Sequence, residues 1–538
     1  MKKLILLSCI LCGFALLSCS KFLEENPRDQ IPEEDAYDNA TSAYLNTVAT
    51  LYNYVGGYSD SQGLQGTYRG IYDLNTFTTD EAILPTRGGD WYDGGFWQGL
   101  FLHKWGVNSD AIRATWEYLY KVIVLSNKSL ERLDEFYKQT NNKYIPAYMA
   151  EVRAFRAMYY YYLVDMFGRV PLILSSSTPM KEVKQSSREE VFSFVVKELQ
   201  ESLPLLSTER SNQLGDYYGR MTRPVAYFLL AKLALNAEVY TDNDWTSGSR
   251  PDGKSLFFEV GGQRLNAWQT TVTYCDSITA LGYQLSRNYE DNFSVFNETS
   301  VENIFTIPMD KNFYTNQMQY LFRSRHYKAY GLSGENGSSA TIEALRTFGY
   351  GTGSVDSRFD KCYFAGIMLD LNGDTIRLDN GVVLEYLPWT VDLDVSGKTY
   401  EKVAGARMKK YAIDKTATKD GKLMDNDIVL FRYADVLLMK SEANVRNGEN
   451  GDAELNQVRS RVGMTDRYAT LDNILAERQL EFAWEGWRRQ DLVRFGLFTR
   501  AYSSRPQLPD EGSGYTTVFP IPENILFLNG NLTQNPGY

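Results

Sequence analysis

The chain has 538 residues and a formal net charge of −11, and 43% of its residues are apolar and 14% aromatic. At roughly 100–200 residues per domain, this length allows about three domains or one large scaffold with insertions. The apolar content excludes disorder as the overall state, and the acidic balance argues against a nucleic-acid partner, whose phosphates need Lys and Arg. With only 2 His, a multi-His metal enzyme is excluded in practice. The 38 Tyr are the most unusual figure and need a physical explanation.

The first 18 residues have the features of an export signal. Two lysines precede the apolar run Leu4–Leu17, which is too short for a membrane span of roughly 20 residues. The run ends in LLSC at 16–19, which resembles the lipobox of bacterial lipoproteins, where the signal is cut before a diacylated Cys. We therefore expect residues 1–18 to be a lipoprotein signal peptide and Cys19 to carry lipid. The alternative is an ordinary signal peptide with an incidental Cys.

Helical spacing of apolar residues is concentrated towards both ends of the remaining chain. It predicts helices over 37–54, 108–137, 144–166, 222–240 and 432–447. In the last three of these, Ala recurs along one face, which lets a second helix approach closely. Such pairs resemble degenerate tetratricopeptide hairpins, which stack into a curved scaffold, although no clean 34-residue consensus is present.

Between roughly Thr241 and Asp427 the chain is rich in Gly, Asn, Asp and Ser, and helical patterns are few. The triplet Asn372-Gly373-Asp374 separates two alternating apolar runs, as a hairpin turn does. We predict a mostly α protein in which this loop-rich lobe (241–427), with small β-hairpins, is inserted into a helical scaffold formed by 19–240 and 428–538. Loops of this kind are where binding residues gather.

Two apparent ligand motifs have simpler explanations. Gly248–Ser255 matches the phosphate-loop pattern GxxxxGK[ST], but that chemistry needs a strand before the loop and a helix after it. Here a predicted helix precedes the loop and extended residues follow, which favours a solvated loop. Asp370–Asp374 begins like a calcium loop but lacks the Gly at position six and the Glu at position twelve, which favours a hairpin turn. No cofactor or metal is predicted, and a structural calcium has no clear motif.

Glu477, Glu481 and Glu485 fall at i, i+4 and i+8 beside several Arg and Trp. Glycoside hydrolysis needs two carboxyls roughly 5–10 Å apart on opposite sides of the sugar bond, whereas carboxyls on one helix face share a side. An ion-paired structural network is therefore the favoured interpretation. For Cys275 and Cys362, a disulfide and two separate structural thiols both remain open.

The aromatic residues fall into two groups. Tyr159–Tyr162 lie inside a predicted helix and are predicted to pack in the scaffold. Gly88–Trp97 instead places aromatic rings among four glycines, and a sugar's apolar face can lie on an exposed ring while Asp and Asn bind its hydroxyls. A second aromatic and amide cluster spans 312–330. The alternative roles are loop anchors or a protein interface. The predicted ligand contacts are Asp90, Trp91, Tyr92, Asp93, Trp97, Tyr314, Asn316, Tyr320 and Tyr330.

Several segments, in order along the chain, resemble the SusD/RagB family of Bacteroidota surface lipoproteins. Residues 241–427 carry little of the resemblance, which is where members are expected to differ in ligand. The similar segments are Cys19–Pro27, Glu151–Pro171, Phe431–Ala443, Glu477–Asp491, Phe519–Pro522 and Gln534–Tyr538.

The resemblance implies a tetratricopeptide-like scaffold in a lipid-anchored protein of the outer membrane, facing outward. It implies a TonB-dependent SusC-like transporter as partner, over which the protein acts as a lid that captures an oligosaccharide or other glycan and delivers it for import. No catalysis is expected. The family has no universal ligand-contact motif, so the predicted contacts rest on the aromatic clusters alone. The alternatives are the same architecture binding peptides, as RagB-like members suggest, and a glycosidase using acidic residues of the lobe.

Overall fold

The structure is a computed structural model that describes residues 39–57, 62–65, 69–313, 319–327, 329–417 and 421–538, without the side chains of residues 319 and 320. The predicted signal peptide and Cys19 lie outside this part of the chain. The fold is mostly helical, with 45% helix and 9% strand, which confirms the predicted fold class. Among the described residues, no helix combines the length and apolar content that a membrane span requires.

Long helices form the frame of the molecule. Those of ten residues or more in the described part are α1 Asp110–Thr140, α2 Ile145–Phe167, α3 Arg188–Ser202, α4 Arg223–Leu235, α5 Ala267–Ala280, α6 Tyr433–Asn447, α7 Asp452–Arg461 and α8 Leu471–Phe482. Shorter helices cover Ala40–Tyr44, Thr50–Tyr52, Ile71–Thr76, Phe96–Phe101, Ala237–Tyr240, Gln319–Ser324, Ile342–Thr347, Phe359–Cys362, Arg488–Arg494 and Glu523–Leu528.

Local sequence signals explain where the long helices begin and end. Ser187 caps α3 in a capping box with Glu190, and Gly168 ends α2 with a φ of 69°. The predicted helix over 222–240 is divided at Asn236, where the backbone leaves the helical region. The predicted helix over 37–54 is described over 40–52, with a π-helical turn at Leu45–Ala49.

Each long helix packs on its neighbours in a continuous series. α1 packs on α2, α2 on α3 and α3 on α4; α5 then packs between α4 and α6, and α6 also contacts α7 and α8. Because α5 lies within 241–427, the helical series runs through the first part of the predicted lobe. α4 also contacts α6 directly, so the N-terminal and C-terminal parts of the scaffold pack on each other.

The strands are short and form antiparallel pairs. They are β1 Ala82–Ile83, β2 Phe257–Val260, β3 Gln263–Asn266, β4 Asn303–Ile307, β5 Ser339–Ala340, β6 Tyr363–Phe364, β7 Gly366–Ile367, β8 Glu385–Tyr386, β9 Arg407–Met408 and β10 Ile428–Arg432. The pairs are β1–β5, β2–β3, β4–β10, β6–β9 and β7–β8. The β1–β5 pair joins the segment before α1 to the loop-rich part of the chain.

In the described residues, buried apolar side chains form one large core and one small core. The large core runs through the whole helical series. The small core lies under the β7–β8 hairpin and is built around Phe364, Met368, Leu384 and Tyr386. The loop-rich part therefore has apolar packing of its own, which can hold surface loops in place.

The tyrosines of α2 pack in the scaffold, as predicted. Tyr159 to Tyr162 are at most 6% exposed. The hydroxyl of Tyr160 donates a hydrogen bond to the Ile173 carbonyl, 2.9 Å away, and the Tyr161 hydroxyl accepts one from Gln490 at 2.6 Å. These tyrosines therefore serve packing, with the ring in the core and the hydroxyls of Tyr160 and Tyr161 hydrogen-bonded.

Cys275 and Cys362 are both buried and both free, so the thiol alternative holds and the disulfide does not. Burial raises the pKa of each thiol. Both therefore behave as small apolar core residues.

Candidate functional site

The loop between Arg87 and Phe96 has an unusual backbone. Gly88, Trp91, Asp93, Gly94 and Gly95 all have positive φ, with values between 44° and 83°. Glycine adopts this region freely, but Trp and Asp do so at a cost of about 1–3 kcal/mol each. Such conformations persist only where surrounding contacts hold them, and they cluster at ligand-binding sites.

Arg87 ties the start of this loop to the loop-rich part of the chain. Its guanidinium is buried and donates hydrogen bonds to the carbonyls of Gly337, Glu401 and Ala404 and to Ser339 Oγ, at 2.6–3.2 Å. Burial lowers the pKa of Arg87 well below its usual value. The loop is thus attached through backbone oxygens that lie some 250 to 320 residues further along the chain.

Trp91 is anchored in the same way. Its indole Nε1 donates a hydrogen bond to the Glu335 carbonyl at 3.1 Å, and its own carbonyl accepts one from Gln98 Nε2 at 3.3 Å. Gly337 lies against the ring, since a Cβ added there would be 2.8 Å from Trp91 Cε2. The ring remains partly exposed.

The prediction of an exposed ring at Trp97 is wrong. Trp97 is 0% exposed and packs edge-on against Phe77 and Phe96, with ring centroids 5.4 and 4.9 Å away. The helix Phe96–Phe101 begins directly after the glycines and turns this side chain into the core. The indole Nε1 donates to Asp93 Oδ2 at 2.7 Å. Trp97 therefore supports the loop from below and offers no ring face to a ligand.

The exposed part of the loop is smaller than the predicted cluster. Tyr92 is 61% exposed, and Asp90 is exposed at the end of a tight turn closed by its backbone hydrogen bonds to Arg87. Asp93 is also exposed, but its carboxylate is held by Trp97 and by Arg69, whose Nη2 lies 2.9 Å from Asp93 Oδ2. The groups that face solvent are therefore Tyr92, the Asp90 carboxylate and part of the Trp91 ring.

The second predicted cluster is described only in part. Tyr314 and Asn316 lie outside the described residues, as does the side chain of Tyr320. Tyr330 is partly buried and packs on Phe364 with ring centroids 5.7 Å apart. It lines an open cavity of about 520 Å³ beside the small core, and burial raises the pKa of its hydroxyl.

The carboxylates of Glu477, Glu481 and Glu485 form a buried ion-pair network, as predicted. Glu481 contacts Arg358, Arg432 and Arg461, with 2.8 Å to Arg358 Nη1 and 2.5 Å to Arg432 Nη1. Partners of the other two carboxylates are Arg358, Arg459, Arg432 and Lys410. Burial raises the pKa of Glu481, but Arg461, Arg432 and Arg358 hold it well below its usual value. One detail differs: α8 ends at Phe482, so Glu485 lies beyond the helix.

The two apparent ligand motifs have the structures predicted for them. Gly253–Ser255 is a single 3-10 turn that leads into strand β2 and not into a helix, so Gly248–Ser255 lacks the phosphate-loop setting. Asp370 and Asp374 close a hairpin turn, in which the Asp370 amide donates to the Asp374 carbonyl at 2.7 Å. Within the described residues, no three His, Cys, Asp or Glu side chains are grouped as metal ligands would be.

Three residues that position the loop were missed in the sequence. Arg87, Glu335 and Gly337 carry no local signal, because their roles depend on contacts with residues about 250 positions away. Only the glycine-rich composition of 88–95 pointed to this site.

Two family models match most of the chain between them. Residues 301–538 match the SusD family model, and residues 21–235 match a model described as starch-binding and associating with the outer membrane. Among curated relatives, the starch-binding protein SusD of Bacteroides thetaiotaomicron is 23% identical, over 89% of this chain and 87% of that protein. The SusD-like protein P25 of Formosa agariphila is 25% identical, over 90% of this chain and 88% of that protein.

Solved structures agree with these matches. A laminarin-binding SusD-like protein superposes with a TM-score of 0.67 at 23% identity, over 93% of this chain and 100% of that one. The surface glycan-binding protein A of Bacteroides thetaiotaomicron, solved in complex with laminarihexaose, gives a TM-score of 0.67 at 19% identity, over 91% and 98% of the two chains. At these identities the likeness establishes the fold.

Proposed function

The chain belongs to the SusD/RagB family, and from this premise we propose that it is a non-catalytic surface protein that captures glycans. Starch, laminarin and laminarihexaose appear in the names of its relatives. We take a neutral oligosaccharide or polysaccharide as the ligand class. Its polymer and linkage are left to experiment.

The observation that carries this proposal is the strained and multiply anchored loop 87–96. Two non-glycine residues in it, Trp91 and Asp93, have positive φ, while Tyr92 is 61% exposed and Asp90, two residues earlier, is also exposed. An exposed ring held by a rigid loop can stack on the apolar face of a sugar, and a carboxylate oxygen can accept hydrogen bonds from its hydroxyls. Preorganisation of this kind lowers the entropy cost of binding.

The buried charges support a binding role without hydrolysis. Glu477, Glu481 and Glu485 are each paired with Arg or Lys and are at most 2% exposed. A glycosidase needs one carboxyl that can give up a proton and a second that faces the sugar. Carboxylates held in ion pairs inside the core supply neither.

We further propose the cellular setting that the resemblance implies. Cys19 would carry the lipid that anchors the protein to the outer membrane at the cell surface, and a TonB-dependent SusC-like transporter would lie beneath it. Residues 19–240 and 428–538 would form the scaffold, and 241–427 the variable lobe, to which loop 87–96 is attached through Arg87 and Trp91. Cys19→Ser should move the protein from the membrane fraction to the soluble fraction, and the wild-type protein should copurify with the transporter.

A glycan array followed by native affinity electrophoresis tests the ligand class. Retention by at least one neutral glycan, reduced in Tyr92→Ala, is expected. Release of reducing sugar from any polysaccharide would contradict the non-catalytic role. Copurified peptides together with no glycan retention would favour the peptide-binding alternative.

A further inference from the structure

Trp389 differs from the other tryptophans of this chain. All nine lie in the described residues, and only Trp389, at 46%, is exposed; six are buried and two are partly buried. Of the three tryptophans that are not buried, Trp91 and Trp105 each donate a hydrogen bond from the indole N–H inside the protein. That of Trp389 donates none to the residues that the structure describes. A large apolar ring and a free N–H at one surface position are the two features of an aromatic ligand contact.

A glycine-rich turn and a second ring hold Trp389 in place. Gly351 has a φ of 77° and approaches the indole closely, since a Cβ added there would lie 3.2 Å from Trp389 Nε1. Tyr350 lies beside Trp389 with ring centroids 5.8 Å apart and an interplanar angle of 44°. Tyr350 is itself stacked on the buried ring of Phe359, with centroids 4.5 Å apart. The two surface rings are therefore supported by the core.

Carboxylates lie next to this pair of rings. Partial burial raises the pKa of the Tyr350 hydroxyl, and the nearby carboxylates of Asp360 and Glu385 raise it further. Both carboxylates are exposed, and neither forms an ion pair with the described residues. Asp360 and Tyr330 both line the cavity of about 520 Å³. The rings thus adjoin hydrogen-bond acceptors and a recess in the same surface.

The segment that carries Trp389 also braces the loop 87–96. Its ends are joined by a bridge between Leu387 and Ala404. Between them, Ser396 Oγ accepts a hydrogen bond from the Gly88 amide at 2.9 Å, and the Glu401 carbonyl accepts one from Arg87 at 2.6 Å. The two aromatic surfaces therefore belong to one connected part of the molecule.

We propose that Trp389 and Tyr350 form a second carbohydrate-binding platform that takes an uncharged pyranose ring, with Asp360 and Glu385 accepting hydrogen bonds from its hydroxyls. The inference rests on the proposed capture of glycans and adds to it a site and a charge preference. A sugar acid is disfavoured here, because two unpaired carboxylates would repel it. The exposed indole N–H would donate to a hydroxyl or ring oxygen.

Fluorine NMR of protein labelled with 5-fluorotryptophan tests the contact directly. Trp389→Phe identifies the Trp389 signal among those of the nine tryptophans. The neutral glycan that the array retains most strongly is then added to the wild-type protein. A shift of the Trp389 signal is expected, and a Trp389 signal that stays in place while that of Trp91 moves would overturn the platform. If the wild-type protein retains no glycan on the array, the proposed function fails and this inference fails with it.

Binding measurements provide a second test. Trp389→Ala should weaken binding of the retained glycan by roughly tenfold, and Trp389→Phe, which keeps a ring, by less. Phe527→Ala is the matched control, because Phe527 is 89% exposed on the C-terminal helix Glu523–Leu528 and should leave binding unchanged. Melting curves confirm that each variant is folded. Unchanged affinity in Trp389→Ala, or tighter binding of a polyuronate than of the neutral glycan, would contradict the proposal.

Discussion

The indole Nε1 of Trp91 donates a hydrogen bond to the main-chain carbonyl of Glu335, 3.1 Å away and 244 residues further along the chain. This bond places a ring from the segment before α1 on a surface built by the loop-rich part of the protein. The orientation of Trp91 therefore depends on residues far away in the sequence, including the buried Gly337, which lies against the ring.

Gly337→Ala should misplace the Trp91 ring. The added Cβ would lie 2.8 Å from Trp91 Cε2 and 3.2 Å from Arg323 Cγ, so the ring or the backbone must move. We expect glycan binding to weaken and the free energy of unfolding to fall by about 1–3 kcal/mol. Affinity electrophoresis and urea unfolding measure the two effects. Gly89→Ala is the control, since nothing lies within 4 Å of a Cβ there. Equal binding by the two variants would show that the position of Trp91 is unimportant.

Tyr92→Ala should weaken glycan binding with little loss of stability, whereas Trp97→Ala should strongly destabilise the fold. Removing the exposed Tyr92 ring should change the free energy of unfolding by no more than about 0.5 kcal/mol and weaken glycan binding by roughly tenfold. Removing the fully buried Trp97 should cost about 3–5 kcal/mol of stability through loss of core packing. Thermal melts and isothermal titration give both quantities. A stable Trp97→Ala variant would mean that this ring does not support the loop.

Glu481→Gln should destabilise the protein. The substitution leaves Arg358, Arg432 and Arg461 short of negative charge in the core, a change that typically costs about 3–5 kcal/mol. Urea unfolding at neutral pH measures the loss. Glu117→Gln removes one of the two carboxylate partners of Arg113 in an exposed cluster on α1 and should cost less than about 1 kcal/mol. Similar losses in the two variants would contradict the structural role of the network.

Glu81 should make stability fall as the pH rises towards neutrality. Burial raises its pKa to about 7, and the hydrogen bond from the Trp484 amide and the nearby cations only partly oppose this. Between the unfolded value near 4.5 and about 7, the folded state holds a proton that the unfolded state has lost, so stability decreases across that interval and is constant above it.

Glu81→Gln should remove this dependence. Relative to the wild type, the variant should gain about 1–3 kcal/mol on going from pH 4.5 to pH 8. Urea unfolding at several pH values gives the comparison. Asp427→Asn should act in the same direction, because burial also raises the pKa of Asp427 to about 7. A wild-type stability that rises over this interval more steeply than that of the variant would refute the assignment.

Part of the helical frame could be predicted, because its signals are local. The limits of α1, α2 and α6 were predicted to within about three residues from apolar spacing, caps and the glycine that ends α2. The burial of Tyr159–Tyr162 followed from their place inside a helix, and the ion pairing of Glu481 from its many Arg neighbours. Each of these properties depends on residues within a few turns of helix or on simple charge balance.

The candidate site could be predicted only in outline. Glycine-rich composition indicated an ordered loop with exposed rings, and Tyr92 is exposed as expected. The exposure predicted for Trp97 was wrong, because a helix begins directly after the glycines. The Trp97 ring packs against Phe77, and its indole N–H donates to Asp93. The exposure of Trp389 was not predicted, since no residue near it in the sequence indicates an exposed indole.

The sequence alone determined the resemblance to the family and the positions of the strongly periodic helices, because periodicity and family segments involve neighbouring residues. Tertiary structure alone decided which aromatic rings are available. Trp91 is oriented by Glu335, Trp97 is buried by Phe77, and Trp389 is held by Gly351. The exposure of a ring depends on which residues pack over it, and these are often hundreds of positions away in the sequence. Such contacts produce no periodic pattern in the sequence.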